Sequence, residues 1–179
     1  LMEAVTRIRG ERDTDVTLLV LHLNNSQPEL VKITRGKIPL ESVRLLMQVG
    51  QIGHLRVFSF AGTTEDEIKK ALDRFERSKG AGLVLDLRNN PGGLLTSVVD
   101  VTSQFLDEGL VLYQIDAQGK RTDWNVKSGG RAVDVPLVVL VNGFSASASE
   151  VLTGAIMDHG RATVIGTTTF GKGSVNNLW

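Results

Sequence analysis

The sequence contains no cysteine. Disulfides and thiolate-held metals are excluded, and the redox compartment stays open. Neither sign of charge dominates, with 20 Lys+Arg against 20 Asp+Glu, which argues against a surface built for nucleic acid or an anionic membrane. No apolar run approaches the roughly 18 residues that a membrane span needs. Internal repeats and low-complexity tracts are also missing. What remains is a chain of 179 residues, 41% hydrophobic and 22% charged, the profile of one globular core, or one core plus a fragment. No cofactor or metal is expected.

The ends are unusual. "LMEAVTRIRG" places Met2, Val5 and Ile8 at helical spacing, as in the interior of an amphipathic helix. "SVNNLW" reads as a strand. The chain is therefore expected to be a piece of a longer protein, beginning inside one domain and stopping inside another. Residues 16–23 and 29–35 read as two strands joined by "NNSQP". "GKIPLES" (36–42) reads as a linker, since Pro39 breaks pairing, and "VRLLMQVG" and "QIGHLRVFSF" as two more strands.

A helix follows with Thr63 or Thr64 as its cap, acids at 65–67 and a stripe of Ile68, Leu72 and Phe75. "GLVLDLR" (82–88) is nearly all apolar, the pattern of a strand buried on both faces. Beyond it lie a helix over 94–106, a hairpin around Gly119, a strand at 136–141, a helix over 146–158 and a strand at 162–166. The alternation predicts an α/β layered sheet with parallel core strands and flanking helices.

In such sheets, sites gather beyond the carboxyl ends of strands. Three loops qualify: "RNNPGG", "NGFSASAS" and "TTTFGKG". In the second, Ser147 and Glu150 fit a capping box. Equally, a serine at a helix start has an exposed hydroxyl beside amides able to bind an oxyanion. The loop alone leaves both readings open. "GFSAS" lacks the last glycine of the G-x-S-x-G elbow.

A nucleophilic serine needs a base. His22 and His54 sit in strands away from the loop, and His159 stands at the far end of the serine's own helix. All three read as surface or packing residues. Lys172, between two glycines, lies on a loop able to return over the serine. A lysine acts as base only when burial favours its neutral form, and Phe170 and Val175 are candidates for an apolar surround. The phosphate-loop spacing G-x-x-x-x-G-K-[ST] is missing.

"GFSASASE" with "DHGRATVIGTTTFGKGSV", together with "LVLDLRNNPGGLL" and "TRGKIP" (34–39), resembles the carboxyl-terminal processing proteases, Ser–Lys peptidases of the tail-specific protease family. The resemblance implies a ClpP/crotonase-like core over 37–179, truncated at its carboxyl end. Ahead of it, residues 1–36 would be the C-terminal remnant of a PDZ domain. It makes Ser147 the nucleophile and Lys172 the general base, with the backbone N–H groups of Gly93 and Ala148 as oxyanion donors. Many relatives carry Gln four residues after the lysine to orient its amine. Here that place holds Asn176, shorter by one methylene. Asp158 stands where some relatives have a sensitive acid; its simpler role is to pair with Arg161 near the helix end.

The implied activity is a serine endopeptidase acting on polypeptides with exposed C-terminal tails, in an extracytoplasmic compartment and without nucleic acid. The alternatives are an inactive peptide-binding or scaffold fragment and a relative of the acyl-CoA hydratases. The last would need a basic pocket and catalytic carboxylates that do not stand out here.

Overall fold

The computed structural model describes residues 8–22, 27–36 and 41–175. The chain divides into two units, residues 1–40 and 41–179. In the first, strands β1 (Asp15–Val20) and β2 (Glu29–Thr34) form an antiparallel pair. Arg35 closes its open end, donating to the Ile8 and Asp15 carbonyls and the Thr14 hydroxyl. The expected helix residues Met2 and Val5 and most of the linker lie outside the described residues.

The second unit is built on a five-stranded sheet in the order β3-β4-β5-β8-β9. β3 (Val43–Met47) runs antiparallel to β4 (Ile52–Val57). β4, β5 (Gly82–Asp86), β8 (Leu137–Val141) and β9 (Thr163–Gly166) are parallel. Three helices, α1 (Thr64–Arg77), α2 (Leu95–Thr102) and α3 (Ala148–Asp158), connect them. The apolar run at 82–88 becomes β5, the central strand, because only there does the sheet bury successive residues. Leu55, Val57, Leu85 and Val139 meet Ile68, Val98, Leu152 and Ile156 of the helices in one core.

α1 follows its acidic signals, with Glu65, Asp66 and Glu67 in the first turn, but Thr63 at the N-cap position makes no capping bond and donates its hydroxyl to Glu67 instead. Glu67 reaches back to the Ser42 and Val43 N–H groups and the Ser42 hydroxyl, tying the helix start to β3. α2 stops at Thr102 rather than 106. There Ser103 donates both its N–H and its hydroxyl to the Val99 carbonyl, four residues back. β6 (Leu110–Ile115) and β7 (Arg121–Asn125) form the expected hairpin as a separate two-stranded sheet.

Candidate active site

The three loops expected to converge do so beyond β5, β8 and β9. Asp86, fully buried at the end of β5, accepts two bonds from the Arg88 guanidinium, at 2.9 and 2.7 Å, and one from His54 at 2.9 Å. Burial works to raise its pKa, but the bonds from Arg88 and His54 outweigh this and hold the carboxyl well below the usual range. The loop therefore leaves the strand in a fixed direction. Buried Asn90 then braces it, donating to the Val57 carbonyl and accepting the Gly92 N–H, both at 2.8 Å.

Gly92 and Gly93 have φ of 99° and 153°, values that L side chains rarely adopt. A Cβ on Gly93 would lie 2.1 Å from the Phe60 carbonyl oxygen. One on Gly92 would lie 2.9 Å from the Ala148 nitrogen and the Ser147 Cβ. Gly92 lets this loop press against the serine turn, and Gly93 lets it press against the backbone of Phe60.

The three serines of "SASAS" separate by what their protons do. The Ser145 hydroxyl donates to the Leu87 carbonyl at 2.8 Å. The Ser149 hydroxyl donates to the Asn90 carbonyl at 2.9 Å. Both are fully buried. Ser147 is half-buried, and its hydroxyl proton goes to no acceptor among the described residues. Its backbone is held at φ 54° and ψ −114°, a conformation costing about 1–3 kcal/mol outside glycine. This break in helical geometry is why α3 starts at Ala148 rather than at 146. The Gly93 and Ala148 N–H groups likewise meet no acceptor among the described residues. Ser147, Gly93, Ala148 and Lys172 line one cavity of about 660 Å³.

Lys172, half-buried, points its amine at the Ser174 carbonyl, 3.1 Å away. No hydrogen bond joins it to Ser147 among the described residues. Its loop is held from below by Glu150, which the sequence offered only as a cap. One carboxylate oxygen accepts the Thr169 hydroxyl at 2.8 Å and the Gly171 N–H at 2.6 Å. The other accepts the Ser147 N–H at 2.7 Å and the Lys172 N–H at 2.9 Å. Burial works to raise the Glu150 pKa, but these four donors outweigh it and lower it. The bond to Ser147 is the reciprocal half of a capping box, so the motif was visible. Its second use, as a bridge to a loop about twenty residues on, was not.

Two expectations are corrected. Arg161 does not pair with Asp158; it donates to the carbonyls of Phe105, Ala132 and Val135. Half-buried guanidinium satisfies several carbonyls at once, which a carboxylate on the exposed last turn of α3 cannot offset. Phe170 does not wall the lysine; it is 67% exposed, because its N–H is tied to the Ser145 carbonyl with its ring outward. Val175 does line the cavity. Asn176 lies outside the described residues. The histidines are occupied elsewhere: His22 with Glu29, His54 with Asp86, and His159 donating to the Leu110 carbonyl.

Residues 51–179 match the family model described as Peptidase family S41. The chain is 39% identical to a carboxyl-terminal-processing protease of Synechocystis, over 99% of this chain and 42% of that protein. It is 36% identical to the carboxy-terminal processing protease CtpA of Bacillus subtilis, over 97% of this chain and 37% of that one. A solved structure, the photosystem II D1 C-terminal processing protease, superposes with a TM-score of 0.68 and 33% identity, covering 91% of this chain and 46% of that one. The chain thus spans less than half the length of these relatives. A match over most of the chain, and over the three loops that meet at Ser147, establishes that it belongs to peptidase family S41.

Proposed function

We propose that this chain carries the catalytic core of a serine endopeptidase that cleaves polypeptides near exposed C-terminal tails. One observation carries the reading. Of three crowded serines, only Ser147 has a hydroxyl proton donated to no acceptor among the described residues, and it shares a cavity with Lys172 and two unbonded N–H groups.

In this mechanism the Lys172 amine turns from the Ser174 carbonyl towards Ser147. In its neutral form it takes the Ser147 Oγ proton, and Oγ attacks the scissile carbonyl. The Gly93 and Ala148 N–H groups hold the oxyanion, helped by the positive end of α3. The ammonium of Lys172 returns its proton to the departing amine. Water, activated by the same lysine, then hydrolyses the acyl-enzyme. Asn176 is assigned the orienting role that Gln has in many relatives. Residues 1–36 are read as the end of a PDZ domain, and the compartment as extracytoplasmic, both from the family resemblance.

A fluorophosphonate probe tests the assignment. The expected result is labelling of Ser147, lost in Ser147→Ala and kept in Ser145→Ala and Ser149→Ala. Absence of labelling, with an unfolded peptide bound but left uncut, would instead support the scaffold reading.

A further inference from the structure

β4 buries Leu55 and Val57 against the helices. Side chains of a strand alternate between faces, so His54, Arg56 and, just past the strand, Phe58 turn to the other face of the sheet. On β3, Val43 and Leu45 are buried and Arg44 between them is exposed. Arg44 stands directly opposite Arg56. Like charges in that position destabilise a sheet. Both guanidiniums gather at the Phe58 ring, their carbons 5.4 and 5.0 Å from its centroid. A ring face attracts cations but carries no net negative charge.

The neighbouring carboxylates are already engaged. Glu41 accepts from the Arg44 guanidinium at 3.0 Å. Asp86, opposite Arg56 on β5, has its two oxygens filled by the Arg88 backbone N–H, two N–H groups of the Arg88 guanidinium and His54. Arg56 donates to no acceptor among the described residues, and its Nε is buried without a partner. A buried donor left unmade is costly. Three arginines thus face two carboxylates, each already paired, and the unmatched charge is that of Arg56. Arg44, Arg56, Phe58 and Arg88 do not line the cavity of Ser147.

We infer that this face of the sheet binds an oxyanion of the phosphate class, held by the Arg56 guanidinium with Arg44 beside it. A guanidinium presents parallel N–H groups that match two oxygens of one anion. A carboxylate would satisfy that fork alone. Arg44 and Arg88, however, raise the local positive potential and favour a group carrying about −1.5 to −2 charge at neutral pH. A tetrahedral anion also offers a third oxygen to the Arg44 guanidinium. A free phosphate ion and the headgroup of a phosphomonoester lipid present the same chemistry. The inference does not depend on the proteolytic reading.

The test titrates inorganic phosphate into the protein at constant ionic strength, with binding read by calorimetry and by the rise in thermal midpoint. Saturable binding is expected, weakened at least about tenfold in Arg56→Gln and less in Arg44→Gln. Arg56→Lys keeps the charge without the fork and should fall between the wild type and Arg56→Gln. Should Arg56→Gln fail to fold, the Arg56→Lys and Arg44→Gln titrations decide. Acetate in place of phosphate should bind more weakly. A second arm sediments the protein with phosphatidylcholine vesicles containing phosphatidic acid. Sedimentation that is lost in Arg56→Gln identifies a headgroup as the source, and phosphate binding without sedimentation identifies the free ion. The inference is overturned by no saturable binding in either arm, by binding that the variants leave unchanged, or by acetate binding as tightly as phosphate.

Discussion

The serine loop and the lysine loop line one cavity and are held in different ways. Residues 142–150 are sewn into the fold. The Asn142 and Asn89 side chains bond each other, the Ala146 N–H reaches the Asn90 carbonyl, and Ser145 and Ser149 send their hydroxyls to the backbone after β5. Among the described residues, 167–175 have fewer ties. Phe170 holds the Ser145 carbonyl, and the rest converge on the single carboxylate of Glu150. Ser147, proposed as the nucleophile, is thus part of the core, whereas the loop of Lys172, the proposed base, is held among the described residues mainly by one side chain. In the proposed mechanism the Gly93 and Ala148 N–H groups stay fixed while the lysine turns from Ser174 to Ser147. This difference is what mutations should expose.

The largest effect on activity is expected at the rigid side. Ser147→Ala removes the proposed nucleophile and should lower kcat by at least about 10³-fold. Stability should fall by about 1 kcal/mol, the usual cost of truncating an N-cap serine, with no further loss from its hydroxyl proton, which has no acceptor among the described residues. Ser147→Gly relieves the φ 54° strain and should melt no lower than Ser147→Ala. Thermal midpoints of the pair check this. A lower midpoint for Gly would mean that the turn is not strained.

Lys172→Arg comes next. Guanidinium stays protonated, so the general-base contribution, about 10²–10⁴-fold, should vanish. The expected readout is loss of peptide cleavage with fluorophosphonate labelling slowed to the same extent. An active arginine variant would remove the lysine from the mechanism.

The hinge of the comparison is Glu150. In Glu150→Gln, one amide oxygen replaces two carboxylate oxygens. Whichever way the amide turns, its NH₂ group confronts two donors, either Thr169 and Gly171 or Ser147 and Lys172. The lysine loop should shift, and a displacement near 1 Å costs on the order of 10² in rate. The pH dependence has a definite sign. Because the folded-state carboxyl is depressed, its stabilisation is fully present above the unfolded value of about 4.3. It is lost as pH falls through the lower folded value. The wild-type melting temperature should therefore drop in acid by a component that Glu150→Gln lacks. Parallel acid profiles would show that the carboxylate does not brace the loops.

Much of this architecture is legible in the sequence because its determinants are local. The apolar run ending in Asp86, the acids opening α1 and the small residues of the three loops each state their role within a few positions. What the sequence hides is where hydrogen bonds go over long separations. Ser145, Ser147 and Ser149 are equivalent by residue type, and only the resemblance chose among them. The structure distinguishes them through carbonyls of Leu87 and Asn90, more than fifty residues away. Arg161 was paired with its sequence neighbour Asp158, when its partners are three backbone carbonyls on other segments. The meeting of Arg44 and Arg56 depends on register, which composition does not carry.

The smallest effect on activity is expected at the two flanking serines, where the comparison predicts a cost in stability instead. Each donates a buried hydroxyl to a carbonyl of the β5 loop, so truncation removes a buried hydrogen bond and should destabilise by about 0.5–1.5 kcal/mol. Ser145→Ala should cost more than Ser149→Ala. The Ser145 oxygen also accepts the Asn142 N–H at 3.0 Å, so its loss strips a donor and an acceptor together. The carbonyls keep a backbone donor in both variants, Asn90 N–H on Leu87 and Ala146 N–H on Asn90, so the difference is the Asn142 N–H that Ser145→Ala leaves without its acceptor. At temperatures where both variants are folded, kcat/KM should stay within about threefold of the parent, because the Gly93, Ala148 and Lys172 positions are held by other bonds. Denaturant unfolding gives the stabilities, and cleavage of one unfolded peptide gives the rates. If Ser149→Ala were inactive while fully folded, the division between a structural and a chemical serine would fail, and the nucleophile would have to be sought again within the same loop.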